Sequence, residues 1–215
     1  MLGPSSVARF GYSLGIETTL SSYLSLALGA SEVTLIDLTS AYAVFANMGK
    51  GVKPYGVREV IDQNGRILWR IKPRQKVAMS QAGAAIIANM LESVILEGTG
   101  KKARVLKRPV AGKTGTTNEY KDALFIGFTP SIAAGVWVGQ DRFRTIGKGE
   151  TGARVALPIW IDFMKAAHED KPYQDFDIPD DVIRINMNPT TGTLESGDSS
   201  NVVTALFKKG TEPIQ

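Results

Sequence analysis

Residues 108–138 read RPVAGKTGTTNEYKDALFIGFTPSIAAGVWV. Apolar and β-branched side chains concentrate in three runs, 108–114, 123–128 and 132–138, and short polar connections separate them. Connections this short join antiparallel neighbours, because a parallel crossover takes a dozen or more residues. The stretch therefore predicts three consecutive antiparallel strands.

Helical patterns precede and follow these strands in the sequence. Ser80 is expected to cap a long helix whose large aliphatic side chains recur at helical spacing. That stripe comprises Ile86, Ile87, Met90, Leu91, Val94 and Ile95. Residues 157–164 predict a closing helix with Trp160, Phe163 and Met164 turned inward. The pattern indicates an α+β fold in which helices cover an antiparallel sheet.

The first part of the chain contains further elements. Two shorter helices are predicted at 4–14 and 35–48, the second with Thr34 as its N-cap. Residues 54–73 alternate polar and apolar side chains around Asn64-Gly65, which predicts a β-hairpin.

Composition divides the chain into three parts. Residues 1–168 hold the helix and strand patterns of a domain. Residues 169–181 are rich in carboxylates and contain two prolines, which predicts an acidic linker. Residues 182–215 form a small C-terminal tail segment that adds either a strand pair or a surface appendage.

The composition also excludes several kinds of chemistry. The chain has no cysteine and one histidine, His168, so thiol chemistry, iron–sulfur clusters and histidine metal clusters are not expected, and no cofactor or metal is predicted. His168 itself is expected to be an exposed cap at a helix end. A net charge of +4 is too small to indicate a nucleic-acid partner. No apolar run reaches the roughly 20 residues of a membrane span.

The segment AGKTGTT, residues 111–117, concentrates the candidate chemistry. Lys113 supplies a positive charge, Gly115 lets a ligand approach the backbone, and the neighbouring hydroxyls and N–H groups donate hydrogen bonds to a carboxylate or oxyanion. A phosphate loop would need glycine where Lys107 stands and a helix after the Lys-Thr pair. A solvated, hydroxyl-rich hairpin end would give the same pattern without function.

The wider surroundings of this segment closely resemble the transpeptidase domain of class A penicillin-binding proteins. The matching stretches are 24–29, 41–47, 108–130, 134–139 and 156–160. The resemblance covers most of residues 10–165 and implies a fold like that of penicillin-binding proteins and serine β-lactamases, incomplete in this chain. It identifies the chain as the C-terminal part of such a domain.

The resemblance also implies the chemistry. Such proteins cross-link peptidoglycan: a serine attacks the D-Ala-D-Ala end of a stem peptide, D-alanine leaves, and an amine of a neighbouring strand takes the acyl group. Lys113 would then supply positive charge and help proton transfer, and Thr114 and Thr116 would hold the terminal carboxylate. Gly115 would keep the strand edge clear, the Thr116 N–H would be an oxyanion donor, and Thr117 would be a further contact.

The sequence departs from the family pattern at two motifs. No serine here has a lysine three residues on, as the S-x-x-K nucleophile and base require. In the family the S-x-N motif precedes the K-T-G motif, which here is Lys113-Thr114-Gly115. Ser199-Ser200-Asn201 follows it, so it matches S-x-N only formally. We therefore expect the N-terminal half of the domain to lie elsewhere in the same protein, and this chain alone to be inactive. A non-enzymatic binding module and a hydrolytic β-lactamase relative are the alternatives.

The expected partners follow from the resemblance. They are peptidoglycan stem peptides and β-lactams, bound through the complete domain, together with the missing half of the protein. The face that this half should cover is expected to make the isolated chain self-associate. The full protein is expected at the extracytoplasmic face of the inner membrane in the bacterial cell envelope.

Overall fold

The computed structural model describes residues 3–142, 144–195 and 202–213. Its helices are α1 (Pro4–Ser13), α2 (Leu35–Ala46), α3 (Gln81–Leu96) and α4 (Leu157–Ala167). Its strands are β1 (Lys50–Val52), β2 (Glu59–Ile61), β3 (Ile67–Arg70), β4 (Gln75–Val77), β5 (Ala111–Thr116), β6 (Asp122–Phe128), β7 (Ala133–Gly139), β8 (Val182–Met187) and β9 (Val203–Lys208). A 3₁₀ turn spans Lys101–Leu106 and a π-helical turn spans Gly152–Ala156. In the described ranges no helix is long and apolar enough to cross a bilayer.

The central sheet consists of β5, β6 and β7 in that order, and both pairs are antiparallel. Lys113 lies opposite Ile126, and Thr116 lies opposite Ala123. The three predicted strands and their antiparallel pairing are confirmed. Side chains alternate along a strand, so Lys113 points to one face of β5 and Thr116 to the other.

Helices cover both faces of this sheet. Against one face, Trp160 of α4 is fully buried and packs edge-on against Phe125, with ring centroids 5.0 Å apart. On the other face, Phe128 contacts Tyr42 and Phe45 of α2. The predicted α+β class, with helices covering an antiparallel sheet, is confirmed.

Side-chain caps fix the starts of two helices. The Thr34 hydroxyl accepts a hydrogen bond from the Asp37 N–H at 3.1 Å, and the Ser80 hydroxyl accepts one from the Gly83 N–H at the same distance. Each cap satisfies a backbone donor that the first helical turn leaves free. Both predicted N-caps are confirmed.

The buried face of α3 differs from the predicted aliphatic stripe. Met90 is 62% exposed, whereas the buried positions are mostly alanines, namely Ala82, Ala84, Ala85 and Ala88. Ala88 packs beside Ala111 of β5, and Ala82 and Ala85 pack beside Val182 of β8. Small side chains let the helix lie close to its neighbours, and hydrophobicity patterns that weight large residues miss such a face.

The predicted closing helix is confirmed, but the predicted inward position of Phe163 is wrong. Trp160 and Met164 are fully buried, while Phe163 is 53% exposed. The buried stripe of α4 runs through Leu157, Trp160, Ile161 and Met164, at spacings of three and four residues. Phe163 lies beside that stripe and faces solvent.

The predicted hairpin forms as β2 and β3, and a second pair, β1 with β4, brackets it. Sequence patterns missed the outer pair because each strand has only three residues. Trp69 of β3 and Trp137 of β7 are both about half exposed.

Residues 169–181 contain no helix or strand, but two of their apolar side chains are anchored. Phe176 packs edge-on against Phe128, and Ile178 packs against the cluster that includes Val182. The tail then adds a strand pair, β8 with β9, which lies on α3. Of the two forms expected for the tail, the strand pair is the one observed.

His168 was expected to be an exposed cap, and this is wrong. The side chain is 4% exposed, its Nδ1 lies 2.9 Å from the Met164 carbonyl oxygen, and its Nε2 lies 3.0 Å from the Thr129 hydroxyl. The ring thus joins the end of α4 to the turn between β6 and β7. Burial is the main cause that lowers the pKa of His168. The hydrogen bond to the Met164 carbonyl opposes this shift, whereas the nearby positive charges of Arg108 and Lys171 lower the pKa further.

Candidate substrate-binding site at the edge of the sheet

The candidate site lies on β5, which in the described part of the chain pairs with β6 alone. Just beyond the strand, the Thr117 N–H donates to the Asp122 carbonyl at 3.0 Å, so this N–H points toward β6. Backbone donors alternate in direction along an antiparallel strand. The N–H groups of Thr116 and Thr114 therefore point away from β6, toward the outer edge.

The Thr116 hydroxyl is held from behind by a backbone donor. Its Oγ1 accepts a hydrogen bond from the Gly152 N–H at 3.1 Å. A Cβ atom at residue 152 would overlap the carbonyl oxygens of Gly115 and Leu124. Only glycine lets the π-helical turn approach the strands this closely, so Gly152 is a structural part of the site.

The Thr114 hydroxyl has a second hydroxyl beside it. Thr114 Oγ1 and Thr99 Oγ1 lie 2.8 Å apart. Thr99 follows the C-terminal end of α3, and it was not among the predicted site residues. No sequence signal could have found it, because the contact depends on how α3 lies against β5.

Lys113 reaches the same edge by a different route. Its side chain starts on the opposite face from the two threonines, but its Nζ donates to the Thr114 carbonyl at 2.9 Å. The ammonium group is exposed. Lys113, Thr114 and Thr116 are thus brought together along the outer edge of β5.

The two remaining predicted site residues have different surroundings. Gly115 lies opposite Leu124, and an added Cβ would come within 3.2 Å of the Leu124 Cβ. The Thr117 hydroxyl accepts from the Asp122 N–H at 2.7 Å, which closes the connection between β5 and β6. The structure therefore does not bring the Thr117 hydroxyl into the row formed by the other threonines.

Chemically, the edge offers hydroxyl and N–H donors beside one cation. Such a set suits a carboxylate or a developing oxyanion, because both accept hydrogen bonds and carry negative charge. Within the described ranges, acidic and histidine side chains form no group of three that could hold a metal ion. The formal S-x-N match at Ser199–Asn201 lies outside the described residues.

Comparison with known proteins identifies the family. Residues 8–160 match the family model described as the penicillin-binding protein transpeptidase domain. The chain belongs to this family, and the resemblance noted in its sequence is confirmed.

Several curated relatives that match this chain are penicillin-binding proteins 1A. The chain is 44% identical to penicillin-binding protein 1A of Aquifex aeolicus over 207 residues, which covers 96% of this chain and 28% of the relative. It is 38% identical to penicillin-binding protein 1A of Rickettsia conorii, with 85% of this chain and 26% of the relative covered. The chain thus spans a little over a quarter of the length of these relatives.

Solved structures support the same fold. The structure of penicillin-binding protein 1A from Haemophilus influenzae matches with a TM-score of 0.90 at 28% identity, covering 99% of this chain and 38% of that one. PonA1 from Mycobacterium tuberculosis in complex with penicillin V matches with a TM-score of 0.71 at 25% identity, covering 82% of this chain and 53% of that one. The predicted fold like that of penicillin-binding proteins is confirmed.

Proposed function

We propose that this chain supplies the side of a D,D-transpeptidase active site that carries Lys113-Thr114-Gly115. The complete enzyme cross-links peptidoglycan stem peptides through a serine acyl-enzyme and binds β-lactams. The observation that carries the proposal is the row of donors on the outer edge of β5. Two hydroxyls, two outward N–H groups and the Lys113 ammonium converge there. PonA1, a structural neighbour, is described in complex with penicillin V, which supports β-lactam binding at such a site.

Each group along the edge has a proposed role. The Thr114 and Thr116 hydroxyls donate to the terminal carboxylate of D-Ala-D-Ala, or to the carboxylate of a penicillin. The outward N–H of Thr116 donates to the carbonyl oxygen as it becomes an oxyanion. Lys113 stabilises the negative charge and assists proton transfer to and from the reacting serine.

The serine and its lysine come from the other half of the domain. In the first step, the serine oxygen bonds to the D-Ala-D-Ala carbonyl carbon and D-alanine leaves with a proton. In the second, an amine of a neighbouring strand attacks the ester, loses a proton and releases the serine. This chain holds donors for both steps but no S-x-x-K pair, so it is inactive by itself.

Labelling with a fluorescent penicillin tests this proposal. We expect no covalent label on this chain alone and a stable label on the longer protein in which an S-x-x-K segment precedes it. Lys113→Ala should slow labelling of the longer protein by about a hundredfold or more, since a positioned group of this kind contributes about 3 kcal/mol. Lys72→Ala, at an exposed lysine outside the edge row, is the matched control.

Three results would contradict the proposal. Covalent labelling of the isolated chain would show that it carries its own nucleophile. A longer protein that takes no label would favour the non-enzymatic binding module. Loss of the label within seconds would favour the hydrolytic β-lactamase relative.

The proposed location follows from the substrate. Peptidoglycan is assembled outside the cytoplasm, so the full protein would act in the bacterial cell envelope, at the extracytoplasmic face of the inner membrane. Neither a nucleic-acid partner nor a cofactor enters the proposed reaction.

A further inference from the structure

We propose that Thr99 is a positioning residue for carboxylate recognition: its hydroxyl donates to Thr114 Oγ1, so that the Thr114 proton is directed to the substrate. This inference rests on the proposed function, because it assumes that Thr114 binds a carboxylate. The contact that carries it is the 2.8 Å separation of the two hydroxyl oxygens.

The direction of this hydrogen bond follows from the ligand. A hydroxyl has one proton and can accept from other donors, whereas a carboxylate only accepts. When a carboxylate binds Thr114, the Thr114 proton must point to it, and Thr114 Oγ1 can then accept only from another donor. Thr99 is within reach to be that donor, and donors in series polarise and strengthen one another.

An unassisted hydroxyl would often point elsewhere. In α2 of this chain, the Thr39 and Ser40 hydroxyls both donate to backbone carbonyls 2.7 Å away, which is the usual local alternative. A Thr114 proton used in this way would leave only oxygen lone pairs facing the substrate anion. A partner that donates to Thr114 Oγ1 favours the hydroxyl orientation in which the Thr114 proton points to the substrate.

Thr116 is held by the same logic. The Gly152 N–H can only donate, so it occupies a lone pair of Thr116 Oγ1. The Thr116 proton is then free to donate to a ligand. Both threonines of the edge therefore have a donor behind them. Thr99 and the Gly152 amide are equivalent parts of one arrangement, although they lie 53 residues apart in the sequence.

The turn that carries Thr99 is itself tightly fixed. The Gly100 N–H donates to the Val94 carbonyl at 2.9 Å, and Gly100 is buried. A Cβ at Gly98 would lie 2.9 Å from Val94 backbone atoms, and one at Gly100 would lie 2.6 Å from Ile95 Cδ1. The flanking glycines thus let the chain fold back on α3 and set Thr99 against β5.

The test compares two ligands that differ only in the carboxylate. Acylation rates by benzylpenicillin and by its methyl ester are measured for the longer protein that supplies the serine. Thr99→Val should slow the reaction with the acid about tenfold and leave the ester within about twofold, because a hydrogen bond to a charged group is worth more than one to a neutral group. Thr99→Ser should restore most of the rate with the acid.

The control is a second hydroxyl pair in the tail. Thr191 and Thr193 Oγ1 atoms lie 2.7 Å apart and both residues are exposed, so Thr193→Val removes a similar contact away from the site. It should change neither rate. Thermal melting of each variant shows whether the fold is preserved.

The outcomes separate the two proposals. Equal slowing of acid and ester by Thr99→Val, or no slowing of either, would overturn the role of Thr99 while the proposed function stands. If the unmodified protein is not acylated, or reacts equally with acid and ester, carboxylate recognition at this edge fails, and the inference fails with it.

Discussion

Thr116 and Thr117 are adjacent threonines with different surroundings. The Thr116 hydroxyl accepts a hydrogen bond from the Gly152 N–H, which leaves its own proton free to donate, while the Thr117 hydroxyl accepts from the Asp122 N–H in the connection after β5. The family resemblance implied a site role for both, with Thr117 as a further contact, and residue type alone does not distinguish the two hydroxyls. Only the directions set by the pleat and the following turn separate the hydroxyl proposed to bind substrate from the one that stabilises a loop.

This difference predicts unequal effects of two substitutions. Thr116→Val in the longer protein should lower the acylation rate with benzylpenicillin by about tenfold or more, because it removes a donor to a charged group. Thr117→Val should lower the rate by less than about threefold and mainly reduce thermal stability. Stopped-flow acylation with matched melting curves measures both effects, and equal kinetic losses would count against the site as described.

His168 makes folding stability depend on pH. Its pKa in the folded chain is lowered, mainly by burial, so the unfolded chain binds the proton more readily. The contribution is complete above the ordinary histidine pKa of about 6.5 and is lost as pH falls below it. We expect the urea midpoint of the chain to fall between pH 7.5 and pH 5.

A variant isolates the histidine from other titrating groups. His168→Gln keeps a polar side chain beside Thr129 but cannot take up a proton in this range. Its urea midpoint should change less between the two pH values than that of the unmodified chain. If both chains show the same change, other groups carry the pH dependence.

At the scale of elements, the π-helical turn at Gly152 couples α4 to the edge strand. Gly152→Ala should displace this turn from β5, since its Cβ would overlap two strand carbonyls. Forcing extra atoms into a packed region typically costs about 1–3 kcal/mol. We expect a lower melting temperature together with slower acylation.

Gly56→Ala is the control for this change. A Cβ at Gly56 meets no other atom within 4 Å, and Gly56 is exposed. Its melting temperature and acylation rate should stay close to those of the unmodified protein. If Gly152→Ala behaves like Gly56→Ala, the turn does not hold Thr116.

The closing helix gives a second prediction at this scale. Trp160 is fully buried against Phe125, whereas Phe163 is half exposed. Trp160→Ala should cost about 3–5 kcal/mol of folding free energy and prevent stable folding in a marginal chain. Phe163→Ala should cost much less, and urea unfolding of the two variants compares them directly.

The central elements could be predicted because local signals specify them. Thr34 and Ser80 mark helix starts by their capping chemistry, and the short connections around β6 fix antiparallel pairing. Inward and outward positions were less predictable. Phe163 and Met90 are large and apolar but exposed, because burial depends on what packs against each face rather than on residue type.

At the scale of the whole molecule, apolar side chains are exposed in the first part of the chain. Tyr23, Leu24 and Leu28 form or adjoin the short 3₁₀ turn at Leu24–Leu28, and the two leucines are 83% and 90% exposed. An uncovered cluster of this kind favours association. It is consistent with a proposed partner half that would cover this region in the full protein.

Self-association of the isolated chain tests this interpretation. Light scattering should show a mass above that of a monomer at high concentration, because a second copy covers the exposed leucines. Leu24→Glu with Leu28→Glu should shift the chain toward monomer, while Val77→Glu, at a 72% exposed position on β4, should not. A monomeric unmodified chain at high concentration would contradict the prediction.

The alanine face of α3 has a consequence for the precision of the edge. An alanine side chain has no rotamer freedom to lose on folding, so burying it costs no side-chain entropy. It also cannot rearrange to accommodate movement of its neighbours. Ala88 contacts Ala111 of β5 through such short side chains, and Thr99 follows the end of the same helix. The buried alanines of α3 therefore act as rigid spacers between the helix and β5. They determine how accurately the Thr99 hydroxyl is placed beside the Thr114 hydroxyl.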